Sequence, residues 1–212
     1  MSDEPEESPE IDASTLTLTT NWQPGQYSFY GPESRTIPLV GQIDQDIASA
    51  FISQLLELDG QCEDVPIIVH LNTEGGSLVD AFAIYDMIKA VKSPVIMVVM
   101  GGCMSAGLLI LSAADMRFST PNSLFFYHQV ILDGLSVQSA EHIESMASYY
   151  AMAQADYDEI VRSRAKISKT VWKKEFAGRT SKFLTATQAL QFGIVDEIIK
   201  YTKKPKIKLG DE

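Results

Sequence analysis

The stretch VIMVVMGGCMSAGLLILSAA, residues 95–114, decides how this chain is read. Its 20 residues carry no charge, long enough to cross a bilayer. Gly101-Gly102 breaks the run, and Ser105, Gly107 and Ser112 interrupt its apolar surface. Val95 to Met100 is short and rich in β-branched residues, bounded by Pro94 and the two glycines. Ser105 to Ala114 has helix-forming composition. A buried strand, a tight turn and a buried helix account for the run better than a membrane span.

The same order occurs just upstream. VPIIVHL, residues 65–71, reads as a strand, Asn72 to Gly76 as a turn, and Ser77 as the opening of a helix to about Val91. Leu78, Phe82, Tyr85 and Ile88 form its apolar stripe. Further out, Arg35 to Val40 is a strand, with Pro38 pointing to a sheet edge. Asp44 caps a helix to about Leu58 that buries Ile47, Phe51 and Leu55. Downstream, Leu124 to His128 is a strand. Gln138 to Lys166 is one long helix of about 40 Å. Its seam of Ile143, Met146, Tyr150, Ala153, Tyr157 and Ile160 predicts packing against another helix. Thr185 to Gln191 is a short helix stopped at Gly193, and Ile194 to Ile199 is the last strand. The expectation is an α/β domain over residues 13–200, preceded by a disordered acidic arm at 1–12 and followed by a short polar tail at 201–212. Residues 13–34 are turn-rich and have room for one edge strand.

Of the net charge of −11, six acids sit within residues 1–12, leaving −5 for the rest. An acidic body argues against nucleic acid or an anionic membrane as partner. Five lysines between Lys200 and Lys208 make a solvated basic end. Cys62 and Cys103 form neither a disulfide framework nor a zinc signature, and Cys103 reads as a buried thiol. His70, His128 and His142 belong to no ligand pair, so a metal enzyme is disfavoured. The acidic N-terminus resembles neither a secretory signal nor a transit peptide, and the expected location is the cytoplasm.

Each Gly-Gly pair ends a strand and precedes a helix, whose first N–H groups and positive dipole end suit a phosphate or a developing oxyanion. The spacing matches neither G-x-G-x-x-G nor the P-loop, so nucleotide binding is disfavoured. On position alone Ser105 reads as an N-cap; its functional reading is a nucleophile beside an oxyanion hole. G-x-S-x-G would need glycine where Cys103 stands. Spacing does not choose a base among the three histidines. His128 is favoured only because its strand directly follows the Ser105 helix.

Many short stretches agree in order and spacing with one family. They are Gly41-Gln42-Ile43-Asp44, Gln54 to Leu58, Gly75-Gly76-Ser77, Ala83 to Asp86, Ser105, Pro121-Asn122-Ser123, His128-Gln129, and Phe183 to Ala186 running into Phe192 to Asp196. From Arg35 to Ile199 the chain resembles the proteolytic subunit of the Clp protease, ClpP. The resemblance implies a ClpP/crotonase-like fold of repeated strand–turn–helix units with a long protruding helix. It implies serine endopeptidase chemistry inside heptameric rings, stacked in pairs, fed with polypeptide by an AAA+ unfoldase. That partner uses ATP; this subunit needs no cofactor. Carried over by position, the nucleophile is Ser105, the general base is His128, and the oxyanion donors are the backbone N–H groups of Gly76 and Ala106.

Where the family has the third triad member, an Asp preceded by Arg, this chain has Thr180-Ser181. A serine hydroxyl brings no negative charge to an imidazolium. The expectation is a slow peptidase on a Ser105–His128 pair, with Glu175 as a carboxylate that a loop shift could bring in. The alternative is a weak or inactive ClpP-like structural ring subunit. Glu74 and Val130 stand where the family usually has proline. A crotonase-type acyl-CoA enzyme is disfavoured, because it needs no Ser–His pair at these positions.

Overall fold

The computed structural model describes residues 35–131, 139–177 and 181–201, all within one compact unit that begins at Arg35. The acidic arm, residues 13–34 and the tail from residue 202 lie outside the described residues. The elements are β1 (Thr36–Ile43), α1 (Gln45–Gln61), β2 (Ile67–Gly76), α2 (Leu78–Ala90), β3 (Val95–Met104), α3 (Ala106–Ala113), β4 (Met116–Ser119), β5 (Leu124–His128), α4 (Ala140–Arg164), α5 (Lys169–Trp172), a π-helical turn (Lys173–Ala177), β6 (Ser181–Thr185), α6 (Ala186–Gln191) and β7 (Glu197–Ile198). The sheet runs β1-β2-β3-β4-β7, all parallel, with β1 at an edge as Pro38 requires. β5 branches from β3 in parallel and pairs antiparallel with β6. The result is mixed α/β, consistent with a ClpP/crotonase-like fold.

The charge-free run is β3 followed by α3, and every residue of α3 is buried. No described helix is long and apolar enough to cross a membrane. The two glycine pairs correct the sequence reading, because neither is a turn. β2 continues to Gly76 and β3 to Met104, since their backbones stay paired. Gln42 and Ile43 of β1 pair with Gly75 and Gly76, and Gly102 to Met104 pair with β5. The β1–β2 ladder slips just before Gly75, between Val40 and Gln42, and the β2–β3 ladder slips across Gly101-Gly102, between Leu71 and Thr73. Side chains satisfy the groups the slips leave. The Thr73 hydroxyl donates to the Gly41 carbonyl at 2.6 Å and accepts from the Gly75 N–H at 3.0 Å. Asn72 Oδ1 accepts from the Gly102 N–H at 2.9 Å. At Gly101, with φ +98°, a Cβ would lie 2.7 Å from that Asn72 oxygen.

β3 changes partner at this level. Ile96 to Val99 pair with β4, whereas Gly102 to Met104 pair with β5. The fork places the end of β3 beside the strand that ends in His128.

Asp44 caps α1 by accepting from the Ile47 N–H at 2.9 Å; Ala48, Phe51 and Leu55 are its buried face, with Ile47 half-buried. Arg35 supplies a cation at the other end, donating to the Leu58 and Cys62 carbonyls. In α2 the buried line is Ala81, Ile84 and Ile88, flanked by the half-buried Leu78, Phe82 and Tyr85, so the stripe is rotated from the expected one. β4, β6, α5 and the π-helical turn are additions to the elements read from the sequence. β7 spans two residues rather than six, although the Asp196 and Ile199 N–H groups on either side also bond β4 carbonyls.

The seam expected along α4 is covered only at its C-terminal end, where Tyr157 and Val161 are buried and α3 is the packed neighbour. α3 has 8 residues, about 12 Å, and α4 has 25, about 37 Å, so α3 is too short to cover it. Ile143, Tyr149 and Met152 are 48%, 45% and 66% exposed.

Arg117, 3% exposed, is held by Asp196 through its Nε at 3.0 Å, its Nη2 at 2.5 Å and its backbone N–H at 2.9 Å. Burial pushes the Asp196 carboxyl up, but the hydrogen bonds and charge of Arg117 outweigh it and hold the group below its ordinary value. A depressed carboxyl adds stability that is complete above the unfolded value near 3.8 and lost as pH falls through the lower folded one. Asp196→Asn is expected to cost about 2 kcal/mol in urea unfolding at pH 7, less than a fully buried pair because Asp196 is 38% exposed. The difference from the parent should shrink below pH 3.8. An equal difference at pH 7 and below the folded value would show that the ion pair is not its source.

Candidate active site

Ser105 stands between β3 and α3 with φ +52° and ψ −123°, a conformation that costs a non-glycine residue about 1–3 kcal/mol. It occupies the N-cap position, yet its side chain makes no capping bond. The N-cap reading therefore accounts for its place and not for its hydroxyl. Its backbone is clamped on both sides. The N–H donates to the Phe126 carbonyl of β5 at 2.7 Å. The carbonyl accepts from the Leu108 N–H and from the hydroxyl of the buried Tyr157, both at 3.0 Å. This is a strained strand-to-helix elbow built without G-x-S-x-G.

Small residues permit it. A Cβ on Gly75, where φ is +94°, would lie 2.6 Å from Ser105 Cβ and 3.1 Å from the Ala106 nitrogen. A Cβ on Gly107 would lie 2.6 Å from Thr73 Cγ2. The end of β2 and the start of α3 thus meet at contact distance. Ala106 opens α3, where the first N–H groups have no intrahelical acceptor.

Ser105, His128, Gly76 and Ala106 line one cleft of about 280 Å³, at the small end for a ligand site. Leu78, Val79, Phe82, Val130, Ile131 and Tyr150 make much of its wall apolar. Beyond Gly76 the same serine and histidine face a second opening, lined also by Gln42 and Glu74. Neither His70 nor His142 lines either opening. His70 is mid-strand in β2, where burial lowers its pKa, and His142 is exposed on the first turn of α4. Of the three histidines, only His128 lines the cleft together with Ser105. Burial pushes the Cys103 thiol well up, which keeps it a protonated core residue.

His128 is braced by its neighbours. The Tyr127 hydroxyl donates to Asp158 Oδ1 at 2.8 Å. The Val130 N–H donates to Gln154 Oε1 at 2.6 Å, and Gln154 Nε2 donates to the same Asp158 oxygen at 2.8 Å. Gln129 Nε2 donates to the Ala177 carbonyl at 3.2 Å. The segment around the histidine is therefore tied to α4 and to the π-helical turn. Burial raises both the Asp158 carboxyl and the Tyr127 hydroxyl that donates to it. Sequence reasoning missed Gln154 and Asp158. Their i, i+4 spacing on α4 was visible, but not what they faced.

Ser181 is the register partner of His128 across β5 and β6, on the same face of the ladder as the stacked Phe126 and Phe183. Glu175 does not reach this face. Its carboxylate is ion-paired at 2.7 Å with Lys182, the partner of Tyr127, and residues one position apart point to opposite faces. Glu175 is engaged with Lys182 rather than with His128, so it would reach the ring only through the loop shift that the sequence reading called for. Glu74, which stands where the family usually has proline, lines the opening shared by Ser105 and His128.

A family model for Clp protease matches residues 29–202. The chain belongs to the Clp protease family. The family consists of ClpP-like serine peptidases, and its match covers every residue named in the cleft. Membership agrees with a fold in which a serine elbow and a strand-end histidine come from β3 and β5, two strands that pair only after Gly101.

The glycine contact is directly testable. Gly75→Ala should leave the far-ultraviolet circular dichroism intact while displacing Ser105, so that labelling by a fluorophosphonate slows at least tenfold. Unchanged labelling with native-like structure would show that the Gly75 approach does not set the serine.

Proposed function

We propose that this protein is a serine endopeptidase that cleaves unfolded polypeptide inside a ring-shaped compartment. Ser105 is the nucleophile, His128 the general base, and the backbone N–H groups of Gly76 and Ala106 the oxyanion donors. The observation that carries the reading is the strained Ser105, its hydroxyl unused for capping, in one cleft with His128. His128 takes the Oγ proton as Oγ attacks the scissile carbonyl, then returns it to the leaving amine. The N-terminus of α3 favours the negative charge that develops on the carbonyl oxygen. The apolar wall suits an apolar side chain next to the scissile bond. These steps call for no cofactor in this subunit; ATP is used by an AAA+ unfoldase partner.

Self-association into heptameric rings, singly or stacked in pairs, is part of the proposal. Family membership supports it, as do the exposed apolar side chains Ile143, Tyr149 and Met152 on the N-terminal half of α4. A second reading, a weak or inactive structural ring subunit, is favoured by one observation: Ser181 stands opposite His128.

Ser105→Ala should abolish hydrolysis of short fluorogenic peptides, by about 10⁴-fold or more, while leaving assembly intact. Unchanged turnover in that variant would remove Ser105 as nucleophile. An intact ring whose Ser105 resists a fluorophosphonate would favour the structural subunit. Mass photometry should show one heptamer or a pair of them, and a monodisperse monomer at micromolar concentration would refute ring assembly.

A further inference from the structure

We infer that the main-chain carbonyl of Gln129 replaces the triad acid, fixing the tautomer of His128, and that Gln129 is the positioning residue that holds it there. The inference rests on the peptidase reading of Ser105 and His128. His128 Nδ1 lies 2.6 Å from the Gln129 carbonyl oxygen. A carbonyl oxygen only accepts, so Nδ1 must carry the hydrogen, and in the neutral ring Nε2 then keeps its lone pair. That is the tautomer a general base needs, with Nε2 turned to the serine proton. As Oγ bonds to the acyl carbon its proton passes to Nε2. The Nδ1 proton stays on the ring and keeps donating to Gln129.

Three features hold this arrangement. The Gln129 side chain is anchored on the Ala177 carbonyl at 3.2 Å, which fixes the peptide that follows His128. The Val130 N–H, one residue on, is held by Gln154. The imidazole lies against the Phe126 ring at 5.3 Å, and that ring stacks on Phe183 at 4.1 Å. No carboxylate among the described residues is hydrogen-bonded to the ring. Glu175 is on the opposite face with Lys182, and Glu74 lines the second opening.

The carbonyl also changes the expected severity of losing the acid. When a triad Asp becomes Asn, the roughly 10⁴-fold loss comes from the wrong tautomer, because an amide can donate to the ring. A main-chain carbonyl cannot donate, so the tautomer survives and only the charge is missing. A carboxylate beside an imidazolium shifts its pKa by about 1–3 units, so the missing charge corresponds to roughly 10- to 10³-fold in turnover.

The test has two arms, both on the full chain. Solid-state ¹⁵N NMR of histidine-labelled protein, with His128→Gln as the subtraction control, reads the tautomer directly. A protonated Nδ1 and a bare Nε2 at neutral ring charge are expected, and a protonated Nε2 overturns the inference. The second arm is a double-mutant cycle on kcat between Gln129→Ala and Ser181→Asp. Gln129→Ala alone should lower kcat about tenfold with KM unchanged, and Ser181→Asp alone should raise it. In the Ser181→Asp background Gln129→Ala should cost nothing, because the carboxylate has taken over Nδ1. An equal loss in both backgrounds makes Gln129 merely structural and overturns its positioning role. So does a loss on Glu74→Gln larger than that on Gln129→Ala, which would make Glu74 the orienting acid. A protonated Nδ1 in a protein whose Ser105 never labels supports the tautomer assignment and refutes the peptidase reading instead.

Discussion

The end of β2 crosses Ser105 with no room for a side chain between them. A single methyl group on Gly75 would sit within 3.1 Å of Ser105 Cβ, the Met104 carbonyl and the Ala106 nitrogen at once. The contact ties two strand–helix units into one site, where Ser105 takes a conformation that serine rarely takes. It is over-determined, as such strain must be. Phe126, Leu108 and Tyr157 each hold the Ser105 backbone by a hydrogen bond, so three separate elements support one residue.

The sheet is irregular at the same level, and the irregularity is organised. Ladder slips in β1, β2 and β3 fall within a few residues of the glycines, and Asn72 and Thr73 absorb the polar groups they leave. β3 then changes partner from β4 to β5. That change carries His128 to the serine, because β5 can pair with β3 only beyond Gly101. α4 completes the assembly from outside the sheet. Tyr157 reaches the serine elbow, and Gln154 with Asp158 hold the residues on either side of His128.

The chemistry at the third position separates two duties that a triad carboxylate performs together. One is orientation, which any fixed acceptor supplies; the other is charge, which a neutral group does not. In this chain the Gln129 carbonyl oxygen lies 2.6 Å from His128 Nδ1, and the residue opposite His128 on β6 is the uncharged Ser181. Glu175 is paired instead with Lys182, the register partner of Tyr127.

The sequence by itself determined the alternation of strands and helices, the capping by Asp44 and Ser77, the buried run from Val95 to Ala114, and family membership through its spaced motifs. These are local properties, set by periodicity and by short-range hydrogen bonds. It did not determine that the glycine pairs continue as strands, because whether glycine turns or pairs depends on the neighbouring strand. It could not choose His128 over His70, since both are strand residues and only the β3–β5 pairing puts one of them in the cleft. It could not find Gln154, Asp158 or the reach of Glu74, nor the pairing of Glu175 with Lys182. Those roles depend on which face of a helix or ladder meets which partner, and such faces are assigned only when elements distant in the chain pack together.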